Sequence, residues 1–337
     1  TGIGVWGLNK TIDWAWDITN FVWWVGIGHA GTLISAVLLL FRQKWRMAIN
    51  RSAEAMTIFG VMTAGLFPAI HVGRAWEAYW LFPYPNQRQL WQNFKSPLMW
   101  DVFAVSTYFS VSAIFFYIGL IPDIAAVRDR TRGFINKIYD GLSLGWRGTD
   151  RQWRHYMAAY GFFAAFATPL VLSVHSVVSW DFAMAQTMGW HSTLFPPYFV
   201  AGAIFSGCAM VITLLLPLSV IFKWDYGPDG KRTTHTHDKY QKQAYIGVWH
   251  FDSLAKMCLL TGGILTYAYG VEHYIGWYSD NVYEWGIFEY RIFGEYDWVF
   301  LMMVFCNCIA PLVWWKRSWR RNYGILMVVS ILINVGM

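Results

Sequence analysis

Long apolar segments separated by shorter polar connections recur along the whole chain, and most reach the roughly 20 residues that a membrane-spanning helix needs. The pattern predicts eight such helices, at 18–41, 52–77, 97–121, 155–183, 198–222, 249–275, 296–315 and 322–337. The connections at 122–154 and 223–248 are polar and charged, and neither resembles a separate soluble domain. The predicted fold class is therefore an all-α integral membrane protein, with residues 1–337 forming a single bundle of about eight transmembrane helices.

The two ends of the chain carry less information. The last apolar segment continues to Met337 without a polar cap or a basic flank, so we expect the chain to stop inside a helix and to be part of a longer one. The start, from Thr1 to Gly4, lacks a basic region followed by a short apolar core and a cleavage site. No signal peptide is expected there.

Composition agrees with lipid as the solvent. Only 14% of the 337 residues are charged, whereas about 25% is usual for a soluble domain. The 22 tryptophans and 19 tyrosines suit aromatic belts at the two membrane interfaces. The net charge of +6 does not indicate nucleic acid, because the basic residues flank apolar segments rather than forming one stripe.

Lysine and arginine residues predict the orientation. The connections after the odd-numbered predicted helices hold 20 of them, and the opposite set of segments holds four, Lys10, Arg88, Lys95 and Arg291. Loops rich in these residues stay in the cytoplasm. We therefore expect a multi-pass protein of the bacterial cytoplasmic membrane, with residue 1 on the periplasmic side.

Ionisable residues inside the predicted spans concentrate near their outer ends. Insertion of one such residue at the bilayer centre costs about 2.5–3.5 kcal/mol of free energy, so its presence in a span indicates a structural or functional role. The outer group comprises His71, Arg74, Glu77, Asp101, His175, Asp181, Glu272 and His273; His29 lies deeper, and Glu54, Asp252 and Lys256 lie near the inner ends. For His29 and His273, a structural role is as good an explanation as a functional one. For Asp181 and Glu272, the structural alternative is a carboxylate at the interface paired with a loop.

His71 and Asp101 carry the strongest functional argument, because both are set among apolar neighbours. Pro68 is expected to bend the second helix just before His71. Quinol oxidation is a reaction that needs such groups, since a hydroquinone releases two protons along with two electrons. Histidine and a partly buried carboxylate can both act as bases near neutral pH.

The chain itself offers no set of thiolate ligands for a redox centre. Its four cysteines, Cys208, Cys258, Cys306 and Cys308, lie in apolar stretches without a CxxC pair, so no iron–sulfur cluster and no metal site are predicted. A haem held by two of His71, His175 and His273 is an open alternative, although no helix carries two histidines at the spacing found in membrane proteins with two stacked haems. Without such a haem, a partner subunit must supply the redox centre that accepts the electrons.

Two other classes of function compete with quinol oxidation. In the first, the protein is a transporter or a proton-conducting subunit without a quinone site, and Glu54, Asp252 and Lys256 join the outer carboxylates into a path. In the second, it is a passive anchor, and neutral substitutions at His71 and Asp101 change assembly but not turnover.

Several motifs resemble one known family. The run from Pro169 to Asp181 and the following Pro196-Pro197-Tyr198 segment up to Gly207 resemble the NrfD/PsrC family of quinone-interacting membrane subunits. The segments from Gly26 to Thr32 and from Phe67 to Arg74 match it too. Within the family, the sequence is most similar to the ActC subunit of bacterial alternative complex III, and the sister subunit ActF shares much of the pattern.

The resemblance implies a quinol pocket in the outer half of the bundle, beneath a peripheral iron–sulfur subunit that takes the electrons. Its histidine and aspartate fall on His71 and Asp101, and we expect Arg74, His175 and Asp181 to complete the pocket. Glu77, Asp252, Lys256, Glu272 and His273 are candidates for a proton path to the outer side. The implied partners are a homologous NrfD-like subunit, c-type cytochrome subunits and lipids; the implied substrate is menaquinol, in a quinol:cytochrome c or related oxidoreductase.

Overall fold

The computed structural model describes residues 16–82, 88–90, 92–189, 191–226 and 245–337, together with Gly4, Trp6, Gly7 and Pro85. Within these residues the chain forms twelve α-helices. They are α1 (Trp16–Leu40), α2 (Asn50–Ala64), α3 (Leu66–His71), α4 (Pro97–Arg128), α5 (Gly133–Leu142), α6 (Asp150–Ala183), α7 (Phe195–Ile221), α8 (Val248–Tyr278), α9 (Val282–Phe293), α10 (Asp297–Val304), α11 (Arg317–Arg320) and α12 (Tyr323–Gly336).

Seven segments of the described residues are long and apolar enough to cross a membrane. They are Trp16–Leu40, Asn50–His71, Pro97–Arg128, Asp150–Ala183, Phe195–Ile221, Val248–Tyr278 and Asp297–Trp315. The eighth predicted span corresponds to α12, whose 14 residues extend about 21 Å, less than the ~30 Å hydrocarbon core. The prediction of an all-α membrane protein with about eight helices is confirmed.

The second predicted helix is shorter than expected. The sequence pattern predicted one helix over 52–77, but α2 ends at Ala64, α3 ends at His71, and a 3₁₀ segment follows at Ala75–Leu81. Pro68 accounts for the first break, because its ring clashes with the carbonyl four residues earlier, which is that of Ala64. Gly73, with a φ of +66°, accounts for the end of the α-helical path.

The predicted polar connection at 122–154 is largely helical. Helix α4 continues to Arg128, the short helix α5 follows, and α6 begins at Asp150 rather than 155. The start of α6 is set by a capping box. The backbone N–H of Gln152 donates to the Thr149 hydroxyl oxygen, and the backbone N–H of Thr149 donates to the Gln152 side-chain oxygen. Hydropathy does not detect this start because residues 150–154 are mostly polar. In the other predicted connection, 223–248, residues 227–244 lie outside the described residues.

The spans form two groups that share a central wall. Helix α1 packs against α2 and α6, and α4 packs against α2 and α6, which makes a first bundle; α7 packs against α8 and α12 in a second. Both α1 and α6 also contact α7. Consequently α1 and α7 are the most enclosed spans, with 72% and 67% of their most apolar windows buried, against 28–44% for the others.

Small residues allow α1 to lie this close to its neighbours. A Cβ at Gly31 would collide with the backbone carbonyl of Ala53 on α2, and a Cβ at Gly207 on α7 would collide with Ala30. Such contacts are the usual basis of helix association in lipid, where burial of apolar surface drives little. The first bundle is therefore fixed by backbone approach at α1.

Candidate functional site

Apolar side chains of α1, α2 and α6 pack together near the outer end of the first bundle. This cluster contains Phe21, Val25, Ala64 and Val178, with Phe67 and Val105 packed against it. The next turn outward on each helix carries an ionisable residue, at Asp17, His71, Asp101 and Asp181. Four different segments therefore place one ionisable side chain each in the layer just outside the apolar cluster, which we call the outer-end layer.

His71 is paired with Asp17 in this layer. The His71 Nδ1–H donates to the Asp17 carboxylate, and Asp17 is only 1% exposed. In a neutral imidazole with its hydrogen on Nδ1, the other ring nitrogen is an acceptor. Sequence reasoning missed Asp17, since the first span was predicted to begin at residue 18; a carboxylate directly before an outer helix start was the available signal.

Asp101 is paired with Asp181. The two carboxyl groups lie within hydrogen-bonding reach of each other, and Asp101 is 7% exposed. A proton shared by the two groups removes the repulsion that two bare carboxylates would exert on each other. Among the described residues, no hydrogen-bond partner reaches the second oxygen, Oδ1, of Asp17, Asp101 or Asp181. The layer thus contains carboxylate oxygens that are buried and available.

Arg74 and Glu77 lie farther out. They belong to the segment that follows the end of α3, and the Arg74 Nη1 atom lies 3.8 Å from the Glu77 Oε1 atom. The Arg74 side chain is 61% exposed. The structure therefore places this pair at an exposed surface beyond the outer-end layer.

His175 lies deeper than expected, in the middle of the first bundle. It is six residues before Asp181 on α6, or about 9 Å along the helix axis. Its ring centroid is 4.6 Å from that of His29, whose ring stacks on Tyr108 at 4.7 Å. His29 Nδ1–H donates to the Val25 carbonyl at 2.6 Å. The three rings form a buried aromatic group, with Tyr108 stacked on His29 and the His175 ring tilted against it, rather than part of the outer-end layer.

Hydroxyl groups extend this aromatic group toward the inner side. Thr32 Oγ1 lies 3.0 Å from the Tyr108 hydroxyl oxygen, and 3.4 Å from both Thr57 Oγ1 and Ser112 Oγ. One turn further inward on α2, Glu54 is 3% exposed and pairs with Arg51 at 2.9 Å. Polar side chains therefore continue from the mid-membrane histidines to the inner end of the first bundle.

Glu272 and His273 belong to the second bundle. They line a cavity of about 450 Å³ between α7, α8 and α10, with aromatic walls that include Tyr198 and Phe199. The Glu272 Oε1 atom lies 3.4 Å from Arg291 Nη1, and His273 Nδ1–H donates to the Tyr269 carbonyl at 2.7 Å. A neighbouring cavity of about 220 Å³ shares Tyr198 and Phe199 and reaches His175.

Asp252 and Lys256 lie at the inner end of the second bundle. Lys256 Nζ is 2.8 Å from Asp252 Oδ2, and Arg320 Nε is 2.7 Å from Asp252 Oδ1. The predicted proton-path residues therefore occupy three separate places, with Glu77 outside, Glu272 and His273 beside the cavity, and Asp252 and Lys256 at the inner end. The three histidines considered as haem ligands, His71, His175 and His273, also face three different environments.

The spans and the outer-end layer define a multi-pass helical membrane protein with a polar site at one end of its first bundle. A family model described as polysulphide reductase, NrfD, matches residues 4–337, and the chain belongs to this family. A candidate membrane subunit of a dimethyl sulfoxide reductase from Halobacterium salinarum is 23% identical over 350 residues, which cover 99% of this chain and 71% of the relative.

Proposed function

We propose that this protein is the quinol-oxidising membrane subunit of a multisubunit oxidoreductase. The outer-end layer is the observation that carries the proposal. It offers two proton-accepting pairs, Asp17 with His71 and Asp101 with Asp181, to a substrate that must lose two protons. Membership of the NrfD family and the name of the halobacterial relative support a role in a reductase complex.

His71 and Asp101 take the two central roles. The free ring nitrogen of His71 accepts a hydrogen bond from one quinol hydroxyl, while Asp17 holds the ring in the accepting tautomer. Asp101 takes a proton from the quinol. Before this step, the interaction of Asp101 with Asp181 spreads the negative charge of the pair over both carboxyl groups. Arg74 and Glu77 then lie on the outward side of the layer, where released protons leave.

Loss of both protons turns the quinol into a quinone and leaves two electrons to be passed on. The acceptor is an iron–sulfur cluster of a peripheral subunit on the outer face. The resemblance to ActC implies menaquinol as the substrate and c-type cytochromes as later carriers, in company with a homologous NrfD-like subunit. The halobacterial relative is instead named for a dimethyl sulfoxide reductase. The ActC-like assignment and this second one differ in the final electron acceptor, whereas both include the quinol-oxidising step proposed here.

The test replaces Asp101 with asparagine in the assembled complex. Asp101→Asn keeps the size of the side chain, and its amide N–H can donate to the Asp181 carboxylate, so assembly is expected to persist. An amide is not a useful base near neutral pH, so quinol-dependent cluster reduction at saturating quinol is expected to fall by about 10²–10⁴. His71→Ala is expected to lose quinol affinity as well as rate, because it removes a hydrogen-bond partner.

Asp129→Asn is the matched control, since Asp129 caps the inner end of the same helix and its side chain is 67% exposed. It is expected to leave turnover unchanged. Near-normal turnover in Asp101→Asn would contradict the proposal for this residue, and Asp181 would be the next candidate base. Assembly is measured separately in each variant.

A second candidate function is proton conduction, and the polar side chains of the first bundle favour it. They run from Glu54 through Thr57, Thr32 and Tyr108 to His29. If the bundle conducts protons, Glu54→Gln lowers proton flux in proteoliposomes, while quinol-dependent cluster reduction in detergent stays normal. An unchanged proton flux in Glu54→Gln would remove this candidate.

A further inference from the structure

A groove lies along one side of helix α8 in the second bundle. It encloses about 630 Å³ and is lined by Lys256, Leu259, Leu260, Gly263, Ile264 and Tyr267 of α8, together with Trp315 and Arg320. The residues of α8 recur at intervals of three and four, so they form one stripe along the helix. The groove therefore runs along the axis of α8.

The dimensions of this groove match one leaflet of a bilayer. From Lys256 to Tyr267 the stripe covers about 16 Å of helix, which is roughly half of the ~30 Å hydrocarbon core. Leu260 and Tyr267 are 69% and 71% exposed. A Cβ at Gly263 would meet nothing within 4 Å, so the middle of the groove is open space. An acyl chain can lie along this stripe.

Positive charge is confined to the inner end of the groove. Lys256 and Arg320 are the two charged residues of the lining, and both contact the buried carboxylate of Asp252, which is not part of the lining. One carboxylate thus holds both of these cations in place. A lysine ammonium has three N–H donors, and the Lys256 side chain is 56% exposed, so it can also bind a ligand beside the groove.

We propose that this groove is a binding site for an anionic phospholipid of the inner leaflet. The phosphate lies on Lys256 and Arg320, and one acyl chain lies on Leu260, Gly263 and Ile264 toward Tyr267. The two basic side chains favour an anionic lipid over other occupants. A partner helix or a neutral lipid would also contact the apolar stripe, but it would gain little binding energy from Lys256 and Arg320. The site is independent of the quinol-oxidising function.

Native mass spectrometry of the assembled complex, titrated with phosphatidylglycerol or phosphatidylcholine, tests the proposal. The unaltered complex is expected to prefer phosphatidylglycerol. Lys256→Gln is expected to weaken that preference about fivefold, the amount one basic residue at an anionic surface contributes. Asp252 keeps Arg320 as a partner in this variant, so the fold is expected to persist.

Two further variants make the result specific. Lys316→Gln removes a positive charge at the same membrane level but outside the groove, where Lys316 lies 4.7 Å over the Trp319 ring, and it is expected to change nothing. Gly263→Leu fills the groove without touching the charges and is expected to reduce binding of both lipids. The proposal is overturned if Lys256→Gln behaves like Lys316→Gln, if Gly263→Leu binds as much lipid as the unaltered complex, or if another protein chain occupies the groove in the assembled complex.

Discussion

At the scale of single residues, the ionisable side chains of the outer-end layer owe their partners to different helices. The sequence predicted His71 and Asp101 as the two central residues of the site, and the structure gives each of them a carboxylate partner, Asp17 and Asp181. A buried charge without a partner would be costly, so these pairings are what make the residues tolerable in the membrane. Asp17 could not be recognised as a partner from sequence, because 54 residues separate it from His71.

Asp17 is expected to act through His71. Asp17→Asn can donate its amide N–H to the His71 ring and so favour the wrong tautomer, and turnover at saturating quinol is expected to fall by about 10- to 100-fold. Quinol-dependent cluster reduction is measured in Asp17→Asn, His71→Ala and the double variant. If Asp17 acts only through His71, the double variant is no slower than His71→Ala. Additive losses would show that Asp17 has a separate role.

At the scale of helices, local sequence signals and tertiary contacts decide different features. The end of α2 follows from Pro68 and the start of α6 from the Thr149 capping box, so both are present in the sequence although hydropathy does not detect them. The close approach of α1 and α2 is different. Glycine at position 31 is visible in the sequence, but the Ala53 carbonyl that requires it is known only from the packing.

Gly31→Ala is expected to force α1 away from α2. The added methyl group meets the Ala53 carbonyl and the Thr57 hydroxyl, and overpacking of this kind costs about 1–3 kcal/mol. The measurement is the thermal unfolding of the detergent-solubilised complex. Gly270→Ala is the control, because a Cβ at that position on α8 meets nothing within 4 Å. Equal unfolding temperatures for the two variants would argue against close packing at Gly31.

At the scale of the whole molecule, orientation decides which side of the membrane carries the outer-end layer. The bias of twenty basic residues against four predicts that the connections at 122–154 and 223–248 face the cytoplasm. The connection at 122–154 contains the short helix α5, on which the Asp140 side chain is 67% exposed. The second bundle carries the short helix α9 on the opposite side, where Tyr283 is 75% exposed.

Single cysteines at these two positions test the orientation. A membrane-impermeant thiol reagent added from outside is expected to label Tyr283→Cys and to spare Asp140→Cys until the membrane is opened. The native cysteines interfere little, because Cys208, Cys258 and Cys306 are buried and Cys308 is partly buried. Labelling of Asp140→Cys from outside would invert the topology and place the layer in the inner leaflet.

Fold class, the number of apolar segments, their predicted orientation and the bias of ionisable residues toward one end all follow from the sequence by itself. The physical reason is that lipid imposes length, hydropathy and charge rules on each span separately. Which ionisable residues meet depends instead on how the spans pack. Only the tertiary structure paired His71 with Asp17 and Asp101 with Asp181, moved His175 to the mid-membrane aromatic group, and assigned Glu272 and His273 to the second bundle. Contacts between helices distant in the chain are fixed by side-chain packing and backbone approach, which no single span encodes.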